Sequence, residues 1–145
     1  MPARLRLKLA RVGVLSALAL LVVRPEAAWA SGCSAATIKG SYGFVFSGYG
    51  NKVIGPPTFP FGGAGLITFD GMRSFSGSYA NSFNGDSFTG IPATGTYTVN
   101  PDCTGLINGT NGTNNFAFVV VSGGAEILLT NLTAGLTFIV DAKKQ

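Results

Sequence analysis

From Ser31 to the C-terminus, few side chains could move protons, attack carbonyls or hold metals. They are five carboxylates (Asp70, Asp86, Asp102, Glu126 and Asp141), four tyrosines and two cysteines. The chain has no His. That removes His-based triads, His-containing zinc sites and the ordinary pH switch. Two Cys cannot build a four-cysteine metal site or an iron–sulfur centre. Paired carboxylates could do acid–base work, but Asp70, Asp86, Asp102 and Asp141 fall at expected turns or strand ends. Asp70 and Asp102 are expected to cap turns through side-chain hydrogen bonds. Glu126, just inside a strand after Gly123-Gly124-Ala125, is the candidate for a chemical role, with a solvated strand residue as the alternative. The run Gly62-Gly63-Ala64-Gly65 lacks the Lys-[Ser/Thr] of a phosphate loop and leads into a strand, so it reads as flexible chain where that strand starts. The polar stretch Asn108 to Thr113 has no carboxylate for calcium. No metal and no cofactor is expected. Asn108, Asn111 and Asn131 fit the glycosylation acceptor pattern.

The charge balance needs correcting for a leader. The whole chain has 10 Lys+Arg and 6 Asp+Glu. Arg4, Arg6, Lys8, Arg11 and Arg24 all lie in the first 24 residues, and from Ser31 on the acids and bases balance at five each. The basic overall composition therefore gives no reason to expect a nucleic-acid partner. Residues 1–30 have a cationic start, an uncharged apolar run from Val12 to Val23, and Ala28-Trp29-Ala30. This reads as a signal peptide with cleavage after Ala30. Its apolar run is too short for a hydrocarbon core that needs roughly 20 residues, so no membrane span is expected after cleavage. The product is expected to be secreted or periplasmic. Cys33 and Cys103 then read as one disulfide, closing a loop of about 70 residues and contributing about 4 kcal/mol in the chain-entropy account.

The remaining chain, 31–145, is long enough for one domain. Gly, Ser, Thr and Asn make up 52 of its 115 residues, and eleven Phe with four Tyr supply the bulk. Such a composition favours strands joined by tight turns. Alternation places strands over 39–48, 61–69, 72–83 and 86–99. Shorter ones are expected near 104–108, 115–121, 125–130 and 135–140. Phe75, Gly77, Tyr79 and Phe83 share one parity, and Ser74, Ser76, Ser78 and Ser82 the other. Asp70-Gly71 and Asn84-Gly85 are hairpin signals. Residues 49–60, with Pro56, Pro57 and Pro60, read as a long loop able to cover one mouth. Ile91-Pro92 marks a bulge or an edge position. About eight consecutive strands with short turns close best into an antiparallel up-and-down barrel, with a two-sheet sandwich as the alternative.

Three triplets, Gly40-Ser41-Tyr42, Gly77-Ser78-Tyr79 and Gly95-Thr96-Tyr97, suggest glycines that make room for a neighbouring ring in a sharply bent sheet. Tyr42, Phe44, Phe46, Phe69, Phe75, Tyr79, Phe83, Tyr97, Phe116, Phe118 and Phe138 are expected to point into the barrel. Of these, Tyr42, Phe44, Phe46, Phe69, Phe75, Tyr79, Tyr97 and Phe118 are the candidate pocket residues, together with Glu126. An eight-stranded barrel is either filled or holds one small ligand, and both readings stay open. Near-continuous apolar runs in the C-terminal strands leave Ala117, Val119, Val121, Leu128 and Ile139 on an outer face. That face needs a cover, either the Cys33-anchored N-terminal segment or a second copy.

A leading Cys33, Gly40 to Phe44, Phe69-Asp70-Gly71, and Gly95 to Val99 followed by Asp102-Cys103-Thr104-Gly105 form a recognisable series. In these elements the chain resembles a family of small, uncharacterised exported bacterial proteins. Met72-Arg73 departs from the glycine-containing hairpin of that pattern. The resemblance implies a barrel of the lipocalin or allene oxide cyclase kind, by analogy of fold only, and carries no activity. Three functions are compatible with these residues. The first is an exported non-enzymatic barrel that binds a small apolar ligand or self-associates. The others are a structural envelope component, and a cyclase- or isomerase-like enzyme leaning on Glu126 or a Tyr.

Overall fold

The computed structural model describes residues 32–50, 58–110 and 114–145. The expected leader, Asn111 and the Pro56-Pro57 part of the expected loop lie outside the described residues. Eight strands follow in chain order: β1 (Gly40–Gly50), β2 (Phe59–Phe69), β3 (Ser74–Phe83), β4 (Asp86–Val99), β5 (Thr104–Gly109), β6 (Asn115–Val121), β7 (Glu126–Asn131) and β8 (Leu136–Lys144). Each pairs antiparallel with the next, and β8 closes on β1, so the sheet is a closed barrel. The sandwich alternative is thereby excluded. Among the described residues, no helix is long and apolar enough to cross a membrane.

The pleat sorts the sequence as alternation predicts. Phe75 is buried and Tyr79 and Phe83 are half-buried, while Ser74, Ser76, Ser78 and Ser82 meet solvent. The Asn84-Gly85 turn has both residues at positive φ, 50° and 95°, and Phe83 pairs directly with Asp86. That is the two-residue hairpin such a dipeptide favours.

Three details differ from expectation. Asp70-Gly71 does not make a two-residue turn. Instead Asp70 Oδ1 accepts the amides of Met72, Arg73 and Ser74 at 2.8, 2.8 and 3.0 Å, and Phe69 pairs with Phe75 across the resulting loop. The carboxylate organises this loop, which explains why Met72-Arg73 is tolerated. Second, Tyr49, Phe59 and Pro60 belong to strands, with Tyr49 opposite Pro60. Pro60 lies beyond the last β2–β3 ladder pair, Phe61 with Phe83, so its missing N–H interrupts little there. Third, the β4 irregularity lies just before Ile91-Pro92. Tyr79 pairs with Ile91 and Asn81 with Phe88, so one residue of β3 faces two of β4. Gly90 supplies the bulge with φ of 66°. Pro92 sits where β4 has outrun β5, whose ladder begins at Gly95.

One end of the barrel is sealed. Cys33 bonds Cys103, with Cα atoms 4.8 Å apart, and the Cys33 amide donates to Pro101 O at 3.2 Å. A 3₁₀ turn, Ala35–Ile38, then carries Ile38 to a fully buried position. The Cys33-anchored segment thus closes an end of the barrel and does not cover the outer apolar face. Gly124 is required at this seal. Its φ is 94°, and a Cβ there would stand 2.2 Å from Thr37 O.

Because the disulfide holds this seal, reducing it or making Cys33→Ser with Cys103→Ser is expected to lower stability by about 2–4 kcal/mol. Urea unfolding with and without reductant measures this. An unchanged midpoint would show that the seal holds without the bond.

Candidate functional site

The inner face has two storeys. Near the sealed end the rings are packed solid. Tyr42, Phe69 and Tyr97 are each at most 1% exposed. Phe69 meets Tyr97 edge-on at 4.9 Å and Tyr42 at 5.5 Å, in the T-shaped geometry that ring quadrupoles favour. Both buried hydroxyls are satisfied. Tyr42 Oη donates to Gly124 O. Tyr97 Oη donates to Asp70 Oδ1 at 3.2 Å and accepts the Gly71 amide at 3.0 Å. Burial raises the Tyr42 pKa. Burial first, then the bond to Asp70 and its charge, push Tyr97 up to about 12. The Asp70 carboxyl is held below its usual range, chiefly by the Met72 amide. The Asp102 carboxyl is held low by the Thr104 hydroxyl and amide, at 2.7 and 3.0 Å. Both acids therefore cap turns, as expected.

The second storey is hollow. A cavity of about 560 Å³ is ringed by Phe44, Phe46, Phe61, Phe75, Tyr79, Phe83, Phe116 and Phe138. It reaches the far rim, where Gly109, Thr110, Asn114 and Leu136 line it. This volume lies in the range of small-molecule pockets. The rings touch one another: Phe61 and Phe138 at 4.9 Å, Phe46 and Phe138 at 5.7 Å, Phe46 and Tyr79 at 5.8 Å.

Two glycines explain why these rings do not fill the lumen. Phe44 pairs across the ladder with Gly65, and Phe46 with Gly63. A Cβ on Gly65 would meet the Phe44 ring at 2.8 Å, and one on Gly63 the Phe46 ring at 2.6 Å. The rings therefore lie against the β2 wall in space a side chain would take. The glycine run is interior to β2 and serves packing, correcting its reading as flexible chain at the strand's start. Of the three Gly-[Ser/Thr]-Tyr triplets, Gly95 makes room for a ring, that of Phe75 at 2.9 Å. Gly77 instead packs on the β2 backbone, and Gly40 adopts φ of 127° beside Lys144.

Of the sequence candidates, Phe44, Phe46, Phe75 and Tyr79 line the cavity. Tyr42, Phe69, Tyr97 and Phe118 belong to the buried core and do not line it. Glu126 is set apart. Ile127 and Leu129 point inward, so Glu126 takes the outward parity. It lies 3.6 Å from Lys143, which also reaches Asp141 at 3.4 Å. The Asp141 hydrogen bond and charge, then Glu126, raise the Lys143 pKa. Sequence reasoning missed Asn81, whose odd parity on β3 was the available signal, and passed over Phe61, which opens the expected strand 61–69 on the parity of Ile67 and Phe69.

Outside, β1 and β5 to β8 carry an open groove of about 890 Å³ lined by Val45, Leu106, Ala117, Val119, Leu128 and Ile139. Among its larger side chains exposure runs from 41% at Val119 to 68% at Ile139, and Ala117 is half-buried. Among the described residues nothing covers this expected outer face. Comparison with protein-family models, curated proteins and solved structures found no match.

The turn carboxylates give a pH dependence of defined sign. Their folded-state pKa values lie below the unfolded value of about 3.9. The stability they contribute is present in full above that value and is lost as pH falls through the folded values. Urea midpoints should hold steady down to about pH 5 and decline below pH 4. Asp70→Ala should lower the midpoint at neutral pH and flatten the acid decline. An equal acid decline in wild type and variant would contradict this.

Proposed function

We propose that this chain is an exported, non-enzymatic barrel that binds a small, mostly apolar molecule in its hollow storey. The observation that carries the reading is the two-storey interior. One half is packed, disulfide-anchored and hydrogen-bonded throughout, and the other keeps an aromatic cavity that glycines hold open. A barrel whose interior served stability alone would gain from filling that volume, since voids forfeit both burial and dispersion. Export is supported by the leader-like residues 1–30 and by the disulfide, which persists in oxidising compartments.

Ligand binding is favoured over self-association because the inner cavity is enclosed by rings, whereas the outer groove is an open sheet face. It is favoured over catalysis because Glu126, the acid expected to do chemistry, is turned outward to Lys143. A purely structural envelope role leaves the cavity unexplained.

The neutral dye N-phenylnaphthylamine, which brightens in apolar surroundings, should bind saturably at one site per chain. Ala93 lines the cavity, so Ala93→Phe should fill it and weaken dye binding by at least about tenfold. Circular dichroism would confirm that the sheet is retained. Dye binding unaffected by Ala93→Phe, or absent in the wild type, would overturn the reading.

A further inference from the structure

Three buried side-chain polar atoms have no hydrogen-bond partner among the described residues: Asn81 Oδ1, Asn131 Nδ2 and Asp141 Oδ1. Their settings differ. Asn131 already accepts the Thr133 amide through Oδ1 at 2.8 Å and does not line the cavity. Asp141 borders the outer groove, and its other oxygen faces Lys143 at 3.4 Å. Only Asn81 lines the inner cavity.

The backbone places Asn81 there. The β3–β4 register shifts between Tyr79 and Asn81, through the bulge that Gly90 permits. The extra residue is on β4, so Asn81 keeps the inward parity that Tyr79 and Phe83 have on β3. A buried acceptor without a donor is destabilising and calls for an explanation. The cavity wall otherwise offers rings, aliphatic side chains and a few neutral polar groups, with no Lys, Arg, Asp or Glu among its lining residues. A charged ligand would lose its hydration there with no counter-charge to replace it.

We propose that Asn81 is the specificity residue of this cavity and that the ligand class is neutral aromatic molecules carrying a hydroxyl, toward which the Asn81 amide turns so that Oδ1, which has no accessible surface in its present rotamer, accepts the hydroxyl proton. This rests on the reading of the cavity as a ligand site. The rings of Phe44, Phe46, Phe61 and Phe138 hold the apolar body, and Asn81 fixes its orientation. A site built to pair a hydroxyl rejects an analogue without one, because its own polar atom is then left buried and unpaired. Carboxylates of the same shape are rejected for two reasons: they are charged, and they only accept.

The test is displacement of N-phenylnaphthylamine by naphthalene, naphthol, methoxynaphthalene and naphthoate. Methoxynaphthalene is more apolar than naphthol, so burial alone would favour it. Naphthol is expected to displace the dye at about tenfold lower concentration than methoxynaphthalene, and naphthoate more weakly than naphthalene. In Asn81→Leu the naphthol advantage should vanish while dye affinity is kept. If naphthol and methoxynaphthalene compete equally in the wild type, the role of Asn81 is refuted and the apolar cavity still stands. If the dye binds and none of the four displaces it, the cavity reading fails and the proposal with it. Should Asn81→Leu not fold, the wild-type series alone decides.

Discussion

The interior of this barrel depends on rings laid over glycines across the ladder. Phe44 lies on Gly65, Phe46 on Gly63, Phe75 on Gly95 and Phe118 on Gly105, each pair in direct register. The exchange has two consequences. The ring covers backbone that glycine would leave bare, which offsets the weakness of glycine in a strand. The ring also moves from the axis to the wall. An eight-stranded barrel is narrow enough for ordinary inward side chains to fill, so wall-hugging rings decide whether space remains.

The same device gives different results at the two ends. At the sealed end Ile38 enters from the disulfide-anchored segment, and Tyr42, Phe69 and Tyr97 complete a solid layer. Its polar atoms are all used: Tyr42 on Gly124, Tyr97 between Asp70 and Gly71. Beyond that layer no segment plugs the axis among the described residues. The cavity there is ringed by eight aromatic side chains, with one unpaired amide oxygen at a bulge. Rigidity at one end and space at the other suit a binding module, since a preformed pocket spares the ligand much ordering cost.

Most of the fold was legible because a strand's inward and outward residues differ in kind. In β3 serines alternate with Phe75, Gly77 and Tyr79 from Ser74 to Tyr79, which showed both the strand and its facing. Phe116 to Val121 and Ile127 to Leu129 are apolar on both parities, yet Leu128 was expected outside, and period two puts residue 126 on the same face. That signal told against a pocket role for Glu126. Its partner Lys143 comes from β8, a long-range contact no local window contains. Tyr49, Phe59 and Pro60 were given to a loop, because proline argues against strand in general while costing little at a ladder's end. Glycines in β2 were read for flexibility when their use is steric, and that use appears only once the register sets Phe44 and Phe46 beside them. Asn81 was skipped as a polar interruption of an apolar parity, and such an interruption is where a cavity shows its chemistry.

The most direct test is to locate a bound ring in solution. Methyl and aromatic protons of this protein, saturated with naphthol, would be observed by intermolecular nuclear Overhauser effects. Contacts are predicted from the naphthol ring to Phe46, Phe61 and Phe138 and to the Asn81 side-chain amide, with none to the methyls of Val119, Leu128 or Ile139. Contacts confined to those outer methyls, with the inner rings silent, would contradict the account and place recognition on the barrel's exterior.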